Sequence, residues 1–491
     1  MTNEAMLPEL GTTGLLRFMW RQLTSMRTAL ILLMMLGVAA IPGSLIPQRT
    51  QNPMAVRQYF IDKPELARWI ERLSGFSVYS SPWFSAIYIL LFISLIGCVL
   101  PRTFEHFKAM RALPPLTPRN LSRLESFQEF SGNGQELARA GEWFKKKRFR
   151  VRTEASALSA EKGYLRETGN LLFHLSLILI LIGVSVGSLF GMRGEAIVNK
   201  GERFISLPTS YDTLSFGKLV HEDSLQPFII EVIDFVAKYD PLTNAPQDYT
   251  ATVRVTNPGE KTSKVKTLKV NSPLTFGNTR VYLQANGYSP IVTVRDSTGQ
   301  VAFQGPIPFL PQDGNLRSIG AIKVPDANPQ IGFVASFLPT YARDSKQGGI
   351  STFPEALDPK LLFSIWEGDL GLDSGIPQSV YRIDTSKMKE IGLESLKPGE
   401  TFKFPQGSIT FETFVPWINL QIVDDPGKGY ALYGAIAAIL GLLASLFGRR
   451  RRIWIRITST GVVEVAGLAK NGAPGLEAEI ENFVTYLRKG I

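Results

Sequence analysis

The chain has 491 residues, of which 44% are hydrophobic and 20% charged, and its formal net charge is +10. Its single cysteine, Cys98, excludes an intramolecular disulfide and a c-type cytochrome with its own Cys-x-x-Cys-His site. Residues 191–429 contain no cysteine, so this segment cannot carry out thiol–disulfide exchange. The basic residues concentrate beside apolar stretches, which favours a membrane protein over a nucleic-acid-binding one.

Four stretches have the length and apolarity of membrane spans. Spans one to four are predicted at residues 28–46, 83–100, 170–190 and 430–447. The first follows Arg17, Arg21 and Arg27 and lacks a cleavage pattern, so we expect a retained helix rather than a signal peptide.

Basic runs predict the orientation of these spans, because lysine and arginine mark their cytoplasmic ends. One run lies at 145–152, and Arg449, Arg450, Arg451 and Arg452 directly follow span four. We therefore predict a multi-pass protein of the plasma (inner) membrane with both termini cytoplasmic. The predicted cytoplasmic segments are 1–27, 101–169 and 448–491, and the predicted extracytoplasmic segments are 47–82 and 191–429.

The segments between the spans differ in pattern. Loop 47–82 has helical spacing interrupted at Pro64, typical of a piece that lies on the outer membrane face or packs on the outer domain. The cytoplasmic loop and tail each predict a helix and two strands, and we expect them to form one small α+β domain that clamps spans two, three and four. These elements are predicted at 136–147, 149–152, 157–164, 453–457, 462–466 and 476–487.

Segment 191–429 contains many short β-prone runs separated by turn residues, which predicts one or two β-sandwiches. Among these runs are 279–284, 291–295, 408–414 and 417–423. The predicted fold class is therefore a polytopic α-helical membrane protein with four transmembrane helices, a large all-β extracytoplasmic domain and a small α+β cytoplasmic region. Phosphate-loop, His-Glu-x-x-His and Gly-x-Ser-x-Gly motifs are absent from the sequence, which argues against an ATPase or a hydrolase.

His174 is the only ionisable side chain of span three. An imidazole in hydrocarbon costs roughly 1–3 kcal/mol unless it finds a partner. Asn170 and Glu167 share its helical face and are placed to support its second ring nitrogen. His174 is thus either an axial ligand of haem iron or a histidine hydrogen-bonded to a neighbouring helix.

Small residues and the other two histidines suggest structural roles. Gly183, Gly187 and Gly191 form a stripe opposite His174, and span four carries small residues at 437, 441 and 445, which predicts close helix packing. We interpret His106 as a surface residue of the cytoplasmic loop and His221 as a loop residue of the outer domain.

Several segments resemble the ResB/CcsB family of cytochrome c biogenesis proteins, and the likeness extends over nearly the whole chain. Around the first three spans they are LTSMRTAL at 23–30, IPGS at 41–44, PQ at 47–48, SPWF at 81–84, GCVLPR at 97–102, AEKG at 160–163 and LLFHLS at 171–176. Further on they are VYLQ at 281–284 and VVEVAGLA at 462–469.

The resemblance implies a subunit of the System II cytochrome c synthase, or haem lyase complex, that is not catalytic alone. With a CcsA/ResC-type membrane partner it would bind haem b, deliver it outward and support its attachment to apocytochrome c. The family's intramembrane histidine maps onto His174, so the resemblance implies an axial haem ligand there, with the second ligand from the partner. Thioredoxin-like thiol-reducing proteins are candidate further partners.

Two other interpretations stay open at this point. A haem-independent scaffold or transporter accessory predicts that His174 is replaceable. A membrane-anchored sensor predicts a recognisable cytoplasmic output domain, which the short mixed loop and tail fit poorly.

Overall fold

A computed structural model describes most of the chain. The described residues are 11–49, 53–124, 126–257, 262–345, 348–372, 379–447, 450–469 and 475–489. The first ten residues of the predicted N-terminal segment and Arg449 of the basic run lie outside them. The chain forms two compact units, Met1–Ser185 with Lys428–Ile491, and Val186–Gly427.

The helices fall almost entirely in the first unit. They are α1 (Thr12–Leu23), α2 (Met26–Leu45), α3 (Pro53–Asp62), α4 (Pro64–Arg72), α5 (Pro82–Arg111), α6 (Glu136–Lys146), α7 (Leu165–Phe190), α8 (Lys428–Phe447) and α9 (Leu476–Arg488).

The strands divide between the two units. In chain order, the first twelve are β1 (Ser126–Ser131), β2 (Arg150–Thr153), β3 (Ala157–Lys162), β4 (Met192–Asn199), β5 (Arg203–Ile205), β6 (Thr213–Phe216), β7 (Ile229–Tyr239), β8 (Pro246–Thr256), β9 (Lys264–Lys269), β10 (Leu274–Phe276), β11 (Thr279–Asp296) and β12 (Val301–Pro306). The remaining strands are β13 (Leu310–Pro311), β14 (Ser318–Val324), β15 (Ile331–Leu338), β16 (Tyr341–Asp344), β17 (Gly348–Ser351), β18 (Lys360–Glu367), β19 (Lys389–Leu396), β20 (Thr401–Phe404), β21 (Gly407–Asp424), β22 (Arg451–Ile457) and β23 (Val462–Ala469). Strands β1, β2, β3, β22 and β23 belong to the first unit and the others to the second.

Four helices, α2, α5, α7 and α8, are long and apolar enough to cross a membrane, so the four predicted spans are confirmed as helices. Two of them extend past the predicted spans. Helix α5 continues through Pro101 to Arg111, and α7 begins at Leu165. Charged residues end an apolar stretch without ending a helix, so hydropathy marks the span and not the helix end. The membrane boundaries themselves stay predictions.

The helical pattern of loop 47–82 is confirmed: α3 and α4 are separated at Lys63, directly before Pro64. The two helices fold back on the short helical segment Gly75–Ser80, where Phe76 is fully buried. Its ring centroid lies 5.5 Å from that of Tyr59 and 5.3 Å from that of Phe60. This loop therefore has a small hydrophobic core of its own.

The predicted α+β domain is confirmed, and one sheet contains strands from both segments. Its order is β1-β23-β22-β3-β2, with β22 of the tail paired to β3 of the loop. Helices α6 and α9 bury their apolar faces here, through residues such as Phe144 and Phe483, whose rings lie 4.8 Å apart. Strand β1, which the sequence analysis did not predict, completes the sheet against β23.

The second unit is built of antiparallel sheets, as predicted. Strands β11 and β21 each have 18 residues and pair along almost their full length. They contribute to two cores, one shared with β7 and β8 and the other with β14, β15 and β18. The short runs read from the sequence at 279–284 and 291–295 are therefore one strand, and so are those at 408–414 and 417–423.

Candidate functional site

His174 lies in the third turn of α7 and is half-buried. Its Nδ1 lies 2.7 Å from the backbone carbonyl oxygen of Asn170, one turn earlier. A carbonyl oxygen only accepts hydrogen bonds, so Nδ1–H must be the donor and the neutral ring keeps its lone pair on Nε2. The structure thus favours the tautomer that presents Nε2 to a metal.

The group that accepts a hydrogen bond from His174 Nδ1–H is the backbone carbonyl of Asn170 and not its side chain. A hydrogen bond of this kind on one ring nitrogen orients an imidazole that binds a metal through the other ring nitrogen. Among the residues that the structure describes, no protein group is hydrogen-bonded to Nε2 of His174. The ring of Phe173 lies edge-on to the imidazole at a centroid distance of 5.3 Å.

Helix α8 packs closely on another face of α7, through glycines. A Cβ added at Gly441 would lie 2.6 Å from the backbone nitrogen of Phe173 and 2.8 Å from the carbonyl oxygen of Gly169. A Cβ added at Gly169 would lie 2.5 Å from the backbone nitrogen of Ser445. The small-residue packing expected of span four is observed at Gly441 and Ser445, but the glycine that meets it in α7 is Gly169.

Helix α5 contacts α7 on a further face. The Tyr88 hydroxyl donates to the carbonyl oxygen of Leu181 at 3.1 Å and lies 3.4 Å from the Ser185 hydroxyl. At the other end of the same two helices, His106 lies 2.9 Å from the Thr168 hydroxyl through Nε2 and 3.5 Å from Glu167 through Nδ1. Its side chain is only 9% exposed, so the interpretation of His106 as a surface residue is wrong. The reason is that α5 continues past Arg102 and carries His106 against α7.

Glu167 belongs to a cluster that we call the α7 anchor, formed by His106, Glu161, Tyr164, Glu167 and Arg450. Arg450 Nη1 donates to both carboxylate oxygens of Glu167, at 3.1 and 3.0 Å, and its Nε donates to Glu161 at 2.5 Å. The Arg450 guanidinium also lies over the Tyr164 ring, 4.5 Å from its centroid. The carboxylate predicted to support His174 therefore holds Arg450 and lies beside His106.

Glu161 is the buried centre of the anchor, with a side chain 1% exposed. It accepts hydrogen bonds from Tyr164 and Arg450, at 2.5 Å each, and from Arg452 at 2.8 Å. Burial raises the pKa of Glu161, but these hydrogen bonds outweigh it and leave the pKa below its ordinary value. Glu161 is therefore ionised at neutral pH.

The remaining histidine, His221, lies in the second unit directly before a short 3₁₀ turn and is exposed. It lines a cavity of about 520 Å³ together with Phe190, Leu219 and Asp424. Within the described part of the chain, no group of three or more His, Cys, Asp or Glu side chains is arranged to hold a metal ion.

The contacts of Arg450 with Glu161 and Glu167 were not predicted from the sequence. The four consecutive arginines after span four look alike as an orientation signal, and nothing local distinguishes Arg450 from its neighbours. What distinguishes it is the pairing of β22 with β3, which places Glu161 opposite Arg452 and near Arg450. That pairing joins positions almost 300 residues apart.

The four apolar helices define an integral membrane protein with His174 on its third candidate span and a large β-sheet unit between its third and fourth candidate spans. The model of the ResB-like family matches residues 26–481, and the chain belongs to this family.

Curated relatives match over almost the same length. Cytochrome c biogenesis protein CcsB of Prochlorococcus marinus (strain AS9601) is 23% identical over 481 residues, which cover 94% of this chain and 98% of the relative. The protein of that name from Synechococcus sp. (strain CC9311) is 26% identical over 490 residues, covering 96% of this chain and 98% of the relative. The expected family is thus confirmed.

Proposed function

We propose that this chain is the haem-handling subunit of a cytochrome c synthase, in which His174 binds haem iron through Nε2. The observation that carries the proposal is the hydrogen bond from His174 Nδ1–H to the Asn170 carbonyl oxygen, which leaves the Nε2 lone pair available for a metal. Membership of the ResB-like family and the names of the relatives support the link to cytochrome c biogenesis.

Haem b is the cargo in this proposal. Its porphyrin supplies four equatorial nitrogens, so the protein needs to add only axial donors. The described residues bring one histidine to α7, and we propose that a CcsA/ResC-type membrane partner supplies the second axial ligand. A neutral imidazole that can dissociate suits a carrier, because haem must leave it for the next site.

Attachment joins each haem vinyl group to a thiol of apocytochrome c, with the sulfur adding to one vinyl carbon and a proton to the other. The thiols come from the apocytochrome, so this chain needs no cysteine of its own. Its thiol, Cys98, lies within α5, donates to the Leu95 carbonyl oxygen and is far in sequence from the β-sheet unit. We propose that this unit lies outside the membrane, near the place of attachment.

The test is the haem content of the protein purified with its membrane partner. We expect His174→Ala to lower the Soret absorbance per complex and the yield of cytochrome c, because the axial donor is lost. Added imidazole should restore both in part. His221→Ala is the matched control, since it removes an exposed histidine outside α7, and we expect wild-type values for it.

Unchanged haem content and cytochrome c yield in His174→Ala would falsify the haem role. That outcome would favour the alternative function, a haem-independent membrane scaffold or transporter accessory that acts through its β-sheet unit.

A further inference from the structure

We infer that Arg450 is a positioning residue for His174: it holds the first turns of α7 through Glu167 and so sets the direction of the imidazole. This inference rests on the proposed haem role of His174. Arg450 touches neither His174 nor, by this proposal, the haem, and it acts through the α7 anchor.

The anchor joins four parts of the first unit at one point. His106 belongs to α5, Glu167 to the first turn of α7, and Arg450 to the segment between α8 and β22. Glu161 lies on β3, which pairs with β22. The Arg450 guanidinium therefore adds a non-covalent connection to the short chain link between β3 and the beginning of the histidine-bearing helix.

Charge and burial make this connection stiff. Arg450 is 16% exposed and contacts two carboxylates, while Arg452 gives Glu161 a second guanidinium. The two cations and two anions balance, and the charge-assisted hydrogen bonds are 2.5–3.1 Å long. Such bonds are stronger and more directional than those between neutral groups.

Helix geometry transmits the constraint to His174. His174 follows Glu167 by seven positions, and at 100° per residue the two lie within about 20° of each other around the helix axis. A rotation of α7 about its axis would turn both side chains together. The ion pair resists that rotation, and the close contact of Gly441 with Gly169 and Phe173 resists a displacement of the axis.

The same small domain offers a matched control pair. Arg456 and Glu464 lie opposite each other on β22 and β23 and form an ion pair whose side chains are 27% and 19% exposed. This pair lies within the sheet and does not involve α7. The domain also has a hydrophobic core of its own, so we expect it to fold without the bond between Arg450 and Glu167.

The first experiment compares Glu167→Ala with Glu464→Ala, each purified with the membrane partner. A small misplacement of a binding group can lower affinity by a factor of ten or more. We therefore expect Glu167→Ala to weaken haem binding about ten-fold. Free imidazole should restore the binding. Glu464→Ala should bind haem as the wild type does. Equal haem affinity in the wild type and Glu167→Ala would overturn the inference.

A second measurement reports the direction of position 174 without haem. In a Cys98→Ser, His174→Cys background, the rate of N-ethylmaleimide labelling in detergent measures how accessible that thiol is. We expect Glu167→Ala to change this rate several-fold and Glu464→Ala to leave it unchanged. An unchanged rate in Glu167→Ala overturns the positioning role, whatever the haem result.

The two measurements separate the inference from the function on which it rests. A changed labelling rate, together with haem content that does not depend on His174, would support the positioning role and reject the haem role. If Glu167→Ala does not accumulate, Arg450→Lys replaces it, because lysine keeps the charge but has no planar fork to hold Glu161 and Glu167 together. We then expect an intermediate loss of haem affinity, and wild-type affinity would count against the inference.

Discussion

Glu161 shows at the residue scale how a buried acid can be retained in a folded protein. Its side chain is almost fully buried but accepts hydrogen bonds from Tyr164, Arg450 and Arg452. We expect Glu161→Gln to lower the free energy of unfolding by roughly 2 kcal/mol, because the two guanidiniums lose a shared charged partner. Thermal unfolding in detergent at pH 7 measures this loss.

The pH dependence of that loss has a definite sign. The pKa of Glu161 in the folded protein lies below its ordinary value of 4.5, because its hydrogen bonds outweigh the effect of burial. Its ionised form therefore stabilises the fold above pH 4.5, and this contribution falls as the pH drops through the folded pKa. The stability difference between the wild type and Glu161→Gln should be constant from pH 7 to 5 and shrink below that. A difference that grows on acidification would contradict this assignment.

A further prediction at the residue scale is that the Cys98 thiol is not needed for cytochrome c assembly. This thiol is half-buried and donates to the Leu95 carbonyl oxygen within α5. We expect Cys98→Ser to assemble cytochrome c at close to the wild-type level, because serine can make the same bond. Complete loss of the product would show that this thiol takes part in the reaction.

At the scale of elements, the contact between α7 and α8 depends on glycine. The atoms that a Cβ at Gly441 would meet are backbone atoms of Phe173 and Gly169, which cannot move aside as a side chain does. We expect Gly441→Val to separate the helices, at a cost of about 1–3 kcal/mol, and to lower haem content. Gly429→Ala is the control on the same helix, since no atom lies within 4 Å of its added Cβ. Equal thermal stability of the two variants would argue against this packing.

Helices were predicted correctly from the sequence where their apolar residues repeat within a short stretch of chain. The helix predicted at 136–147 and the tail helix at 476–487 agree closely with α6 and α9, because their apolar faces repeat within a few residues. The long strands were misjudged for the opposite reason. Asn286, Gly287 and Pro290 look like turn residues, yet β11 continues through them because β21 pairs with it on both sides of this point.

The candidate site divides in the same way. His174 was found from sequence because a lone histidine in an apolar span is visible locally. The α7 anchor was not found, because its members come from α5, β3, α7 and the segment after α8, and only the fold brings them together. His106 is the clearest case. The apolar pattern ends before Arg102, so hydropathy alone does not show that α5 continues as far as His106.

At the scale of the whole molecule, chain order constrains function. The second unit, Val186–Gly427, is inserted between the third and fourth candidate spans. The chain therefore continues from its two ends into the first unit through α7 and α8. These are the helices that carry His174 and Gly441. The elements proposed to bind haem and the unit proposed to lie near the apocytochrome are therefore consecutive in the chain.

The orientation in the membrane is the remaining whole-molecule prediction. Single cysteines in a Cys98→Ser background test it, one at Leu242 in the second unit, which is 93% exposed, and one at Glu481 on the exposed face of α9. Because the basic runs mark the cytoplasmic side, we expect Leu242→Cys to react with a membrane-impermeant maleimide in intact spheroplasts. Glu481→Cys should react only after permeabilisation. The reverse pattern would place the β-sheet unit in the cytoplasm and remove it from the site of thioether formation.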